Sequence, residues 1–114
     1  MKTIPLESGH IIYVGQNARE NFELIDRSKP DDLWFHLKNL PSCHVILQVQ
    51  SNADISIVTI EDLKKTAEVC LSNTKYRGLN SVYVEYLPVK YVEKTTTLGK
   101  VMLRQKPNFI KLST

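Results

Sequence analysis

The chain has 114 residues, 42% of them hydrophobic and 24% charged, with only four glycines and five prolines. That suits one compact domain, residues 1–114, able to build a core without metal or disulfide staples, and it excludes a multidomain enzyme, a disordered tail and a collagen-like repeat. The net charge of +3 is uneven: residues 1–57 carry five basic and seven acidic side chains, residues 58–114 ten and five. Affinity for an anionic partner is therefore expected in the C-terminal half.

The two cysteines, Cys43 and Cys70, sit in apolar segments and are too few for a secreted disulfide framework, which points to a reducing compartment. Met1–Glu7 meets charge and proline at once, unlike a signal peptide. No apolar run approaches the roughly 20 residues that span a bilayer. The expectation is a cytoplasmic or nuclear protein without membrane contact.

In chain order, His10–Val14 reads as a strand closed by Gly15. Asn17 then caps a helix to Asp26, with Glu20 placed to reach back to the cap's N–H and Ala18, Phe22 and Ile25 forming the apolar stripe. Pro30 ends that segment. Asp32–Lys38 and His44–Gln50 read as a hairpin, with Leu33, Phe35, Leu37, Val45, Leu47 and Val49 on the core face and Trp34, His36, Lys38, His44 and Ile46 on the other. Thr59 caps a second helix to about residue 73, in which Ile60, Leu63, Ala67, Cys70 and Leu71 face inward and Lys64, Lys65 and Glu68 outward. Four short strands follow, at 81–87, 90–94, 100–105 and 108–112. The order predicts an α+β fold, a single compact domain with a mainly antiparallel sheet and two helices.

Enzyme chemistry finds little support in these residues. His36, Cys43 and His44 share one hairpin, but adjacent Cys43 and His44 should point to opposite faces, and no second ligand pair has zinc-finger spacing. The glycines at 9, 15, 78 and 99 match neither a phosphate loop nor a dinucleotide fingerprint, so no cofactor is implied. A hydrolase with His36 or His44 as general base is a distant alternative. Two features suggest nucleic acid instead. Trp34, His36 and Lys38 interleave an aromatic, an imidazole and an ammonium on one strand face, the pattern that stacks unpaired bases. Lys90 with Lys94, and Lys100 with Arg104 and Lys106, form basic stripes suited to phosphates. A protein-interaction adaptor using the same face, with Ile46 as its apolar element, is the rival reading.

Gly9–Leu24, Asp32–Lys38, Leu40–Leu47, Ser81–Tyr86, Lys90–Lys94 and Gly99–Val101 together resemble the NFACT-R domain. The resemblance covers nearly the whole chain, and its scaffold matches are Gly15, Asn17, Asn21, Trp34 and Pro41. It implies an RNA-binding module of ribosome-associated quality control, in a standalone form, whose partners are tRNA or rRNA, the large ribosomal subunit and proteins supplying the other NFACT domains. Peptide tailing belongs to the larger assemblies and is not implied here. The chain departs from the family pattern at Gln16, where a basic residue is usual, and at Ser42-Cys43, where Gly-Ser is usual. The nucleic-acid contacts expected from the strand faces and basic stripes, rather than from the resemblance, are Trp34, His36, Lys38, His44, Lys90, Lys94, Lys100 and Arg104.

Overall fold

The computed structural model of the chain describes residues 1–50 and 58–113. In chain order these form β1 (Lys2–Pro5), β2 (Ile11–Val14), α1 (Ala18–Arg27), β3 (Leu33–Leu37), β4 (Val45–Gln48), α2 (Ile60–Ser72), β5 (Ser81–Pro88), a 3-10 turn (Val89–Tyr91), β6 (Val92–Lys94), β7 (Val101–Leu103) and β8 (Asn108–Ser113). Six strands make one sheet in the order β1-β2-β4-β3-β5-β8 with every neighbour antiparallel, while β6 and β7 pair separately. The α+β architecture expected from the sequence is therefore correct. Among the described residues no helix is long and apolar enough to cross a membrane.

β1 is an addition to the sequence reading. Its register against β2 runs from Lys2 opposite Val14 to Pro5 opposite Ile11. Proline and lysine hide a strand signal, yet they suit a sheet edge, where a missing N–H costs nothing and a charge deters further pairing.

Both faces of the sheet are partly covered, and by different elements. On one face Phe35, Leu37, Val45 and Leu47 pack with Ile12, Val14, Val82 and Val84 against Ala67, Cys70 and Leu71 of α2. Val49, expected in this row, is only half-buried. On the other face Trp34, Ile46 and Leu87 pack under Leu24 of α1 and under Val89 and Val92 at the start of the β6–β7 hairpin. Trp34 retains 1% of its exposure and Ile46 is equally buried. Neither can serve as a surface contact, which corrects the expected stacking role of Trp34 and removes Ile46 as the apolar element of an adaptor face. Alternation along the strands predicted the direction of these side chains but not the second layer laid over them.

The helices follow their caps. Asn17 Oδ1 accepts from Glu20 N at 2.9 Å. Glu20 reaches back one residue further than expected, to Gln16 N at 3.0 Å, and also pairs with the N-terminal ammonium at 3.2 Å. The buried side chains of α1 are Asn21 and Leu24, with Ala18, Phe22 and Ile25 on the flanks of that stripe. In α2, Thr59 caps Asp62 N as expected, but Ile60 lies in the first turn beyond the core and is exposed.

Asn21 is buried because it links α1 to the sheet. Its Oδ1 accepts from His44 N at 3.2 Å, while Gly15 N donates to the His44 carbonyl at 2.9 Å. A Cβ on Gly15 would lie 2.2 Å from that same Asn21 oxygen, so only glycine fits. Gly15→Ala is expected to cost about 1–3 kcal/mol by overpacking. Asn21→Ala should cost a similar amount, about 1–3 kcal/mol, by leaving a buried N–H without a partner. Urea denaturation of each variant measures both losses.

Candidate nucleic-acid interface

Four connections converge at one end of the sheet. The β2–α1 turn (Gly15, Gln16, Asn17), the β3–β4 loop (Asn39–His44), the end of α2 (Asn73–Lys75) and the β6–β7 turn (Leu98–Lys100) line an open groove of about 1060 Å³ floored by Trp34, His36 and His44. Local chemistry fixes each wall. Asn39 adopts φ 61°, a left-handed conformation that asparagine tolerates. The Ser42 hydroxyl accepts from Leu37 N at 3.0 Å and donates to the Cys43 carbonyl at 2.9 Å, closing the loop that departs from the family's Gly-Ser. Gly99, at φ 82°, lets the hairpin turn press on Ala18, where a Cβ would come within 2.8 Å.

The floor is an aromatic cluster. The Trp34 and His36 rings stack with centroids 5.4 Å apart, and His44 meets both edge-on, at 5.3 and 5.5 Å. His36 Nδ1 donates to the Leu37 carbonyl at 2.6 Å, which leaves Nε2 as the acceptor of a neutral ring, and the Glu85 carboxylate lies 3.9 Å from Nδ1. Burial lowers the proton affinity of His36 despite that carbonyl. Burial lowers His44 further, to about 3, with His36 adding to the effect and the Gly99 backbone opposing it. Both imidazoles are therefore neutral near pH 7; His36 keeps a partly exposed ring edge, whereas His44, at 2% exposure, is as buried as Trp34 and cannot serve as a surface contact. Trp34 Nε1 and His44 Nδ1 are buried without a hydrogen-bond partner among the described residues. One is a donor and the other an acceptor, so the cluster is left polar and incompletely satisfied.

Cys43 and His44 do separate to opposite sides. Cys43 Sγ lies 3.7 Å from the Cys70 carbonyl, on the α2 side, while His44 turns to Trp34. Both cysteines are free thiols. The Cys43 thiol and burial together push Cys70 well above the usual thiol range, which opposes a role as nucleophile.

The groove gathers part of the expected interface and leaves part elsewhere. Trp34, His36, His44 and Lys100 line it, as do the scaffold residues Gly15, Asn17, Asn21 and Pro41. Lys38 projects away, over the rings of Tyr83 and Phe109. The expected basic track is largely neutralised. Lys90 pairs with Asp31 at 3.0 Å, Lys94 with Asp26, and Arg104 with Glu93 at 3.4 Å. The first two pairs tie the segment to the turn before β3 and to α1, while the third closes the β6–β7 hairpin on itself, an outcome that the spacing of charges along the chain could not reveal. Lys75, just after α2, is a groove-lining cation that sequence reasoning missed, because nothing in the sequence brings the end of α2 to the same groove as Lys100.

Residues 4–106 match the family described as NFACT protein RNA binding domain. The chain belongs to that family, which ties this fold to RNA binding. It is 34% identical over 93 residues to mouse coiled-coil domain-containing protein 25, covering 80% of this chain and 44% of that protein. It is 32% identical over 112 residues to the Rqc2 homolog RqcH of Streptococcus pneumoniae serotype 2 (strain D39), covering 90% of this chain and 19% of that one. Among solved structures, the C-terminal part of the fibronectin/fibrinogen-binding protein from Streptococcus suis superposes with a TM-score of 0.83 at 28% identity, covering 98% of this chain and 44% of that one. The chain thus spans less than half the length of these relatives.

The neutral His44 makes stability depend on pH. Its folded value near 3 lies below the ordinary 6.5, so between those limits the unfolded chain binds a proton that the folded chain refuses. Stability is complete above pH ~6.5 and is lost as pH falls toward 3, by up to about 1.4 kcal/mol per pH unit inside that window. His36 acts in the same direction. His44→Phe should flatten the dependence between pH 7 and 5 in urea titrations, and an unchanged slope would refute the assignment.

Proposed function

We propose that the chain is a non-enzymatic RNA-binding module that holds a segment of tRNA or rRNA in the groove, in association with the large ribosomal subunit. The observation that carries this reading is the pair Lys75 and Lys100, both exposed, both lining the groove and neither in an ion pair among the described residues, with Lys75 resting over the Tyr76 ring at 5.4 Å. Free cations can take phosphates, whereas cations already paired must first break a contact. The size of the groove supports the same reading. At about 1060 Å³ and open to solvent, it has room for a segment of a polymer as well as for a small molecule. Its amide and imidazole walls suit base edges and sugar hydroxyls. Membership of an RNA-binding family and the RqcH relatives support RNA and the ribosome as partners. Proteins that carry the remaining NFACT domains would be additional partners, and the cytoplasm is the place where they meet.

The test is a fluorescence-anisotropy titration with tRNA and rRNA fragments over a range of salt. Affinity should fall steeply as salt rises, because bound phosphates release counterions. Lys75→Glu combined with Lys100→Glu should weaken binding at least tenfold and flatten the salt dependence, whereas Lys90→Gln should change it little. Binding that is absent, or insensitive to both salt and the double glutamate variant, refutes the reading.

A further inference from the structure

The face of the sheet that carries Trp34 is covered over only part of its width. α1 and the β6–β7 hairpin bury Trp34, Ile46 and Leu87, and the groove claims His36 and His44. Beyond Glu85, half-buried at the boundary, the same face of β3, β5 and β8 lies open. The register sets its membership. Tyr83 lies opposite Lys111, and Glu85 opposite Phe109. His36 lies opposite Glu85 across β3 and β5, so the open area is continuous with the groove floor.

Two aromatic rings stand on this surface, Tyr83 at 46% and Phe109 at 47% exposure. They are diagonal neighbours on adjacent antiparallel strands, a relation that sets residues roughly 7–8 Å apart. That spacing matches two successive nucleotides splayed from one strand, one base per ring. Cations accompany the rings. Lys38 Nζ lies 4.4 Å from the Phe109 centroid and 5.7 Å from that of Tyr83, and Lys111 sits beside Tyr83 in the register. Neither lysine has an ion pair among the described residues.

We propose that Tyr83 and Phe109 form a stacking platform for two unpaired bases of single-stranded RNA, with Lys38 and Lys111 taking the adjoining phosphates. The proposal rests on the RNA-binding reading and adds a second contact surface next to the groove. Lys38 now occupies the space above the rings. A base displaces it, because stacking on an exposed ring outweighs the cation–π contact that it replaces, and the freed ammonium then meets the phosphate of the arriving nucleotide. The platform also assigns base stacking to residues other than the buried Trp34. RNA is favoured over a protein partner because free cations border both rings, and burial raises the pKa of the neighbouring Glu85 carboxyl against the pull of Lys38.

The test uses the full chain with labelled ten-nucleotide oligouridine and oligoadenosine, titrated over a range of salt. Tyr83→Ala with Phe109→Ala should weaken binding at least tenfold while leaving the salt dependence unchanged, since no charge is removed. Phe109→Trp should preserve or strengthen binding. Lys38→Met should flatten the salt dependence. Photocrosslinking with 4-thiouridine should modify residues within 108–113. Thermal unfolding of each variant confirms that the fold is intact, as expected for half-exposed rings. If the unaltered chain binds RNA, the double glutamate variant weakens it and the double alanine variant does not, the platform is refuted and the groove reading stands. If the unaltered chain binds no RNA, both fall together. Loss of a protein partner in the double alanine variant with RNA binding intact would also overturn the platform.

Discussion

One contact fixes how α1 lies on the sheet. The Asn21 amide oxygen takes the N–H of His44 in a space that exists only because residue 15 has no Cβ. Buried backbone groups need partners, so this single bond holds the start of β4, the first turns of α1 and the turn before them in one arrangement. The groove follows from it. Its walls include the Gly15–Asn17 turn and, next to it, the hairpin turn that presses on Ala18 through Gly99, and its floor begins at His44. The residues that the NFACT-R resemblance singled out, Gly15, Asn17 and Asn21, are those that set this geometry. Their role is to place the loops that line the groove, and their own polar atoms are largely occupied with Glu20 and His44.

The same sheet face serves three purposes along its width. Toward β2 and β4 it is a second hydrophobic core under α1. In the middle it becomes a polar aromatic floor whose imidazoles stay neutral. Toward β8 it opens to solvent. Antiparallel pairing allows this gradation, because each strand keeps one row of side chains on the face regardless of what covers it. Only the placement of α1 and of the hairpin decides which rows become core and which remain surface.

How far the sequence alone could reach is clear from particular residues. Periodicity located both helices and seven of the strands, since caps and β-branched runs are local signals. It missed β1, where Pro5 and Lys2 obscure a strand that only its partner defines. It set Trp34 on the correct side of β3, yet exposure depends on a layer contributed by residues 24, 89 and 92, remote in the chain. The basic stripes failed for a related reason. Lys90, Lys94 and Arg104 were counted as charges, but Asp31, Asp26 and Glu93 meet them in space. Tyr83 could have been found, because it alternates with Val82 and Val84 in a strand whose buried face was evident. Phe109 lay in the final predicted strand and needed only its register to join it.

The ion pairs of the β6–β7 hairpin are a small part of what keeps it in place. Surface pairs of this kind contribute about 0–1 kcal/mol each, and the hairpin shares no backbone ladder with the main sheet. What holds the hairpin down is the apolar burial of Val89 and Val92 over Trp34, with Val101 and Leu103 packed beside them. The only tryptophan of the chain lies under it. Its fluorescence thus reports the docking of that hairpin, so an intrinsic optical signal is built into the wall of the groove.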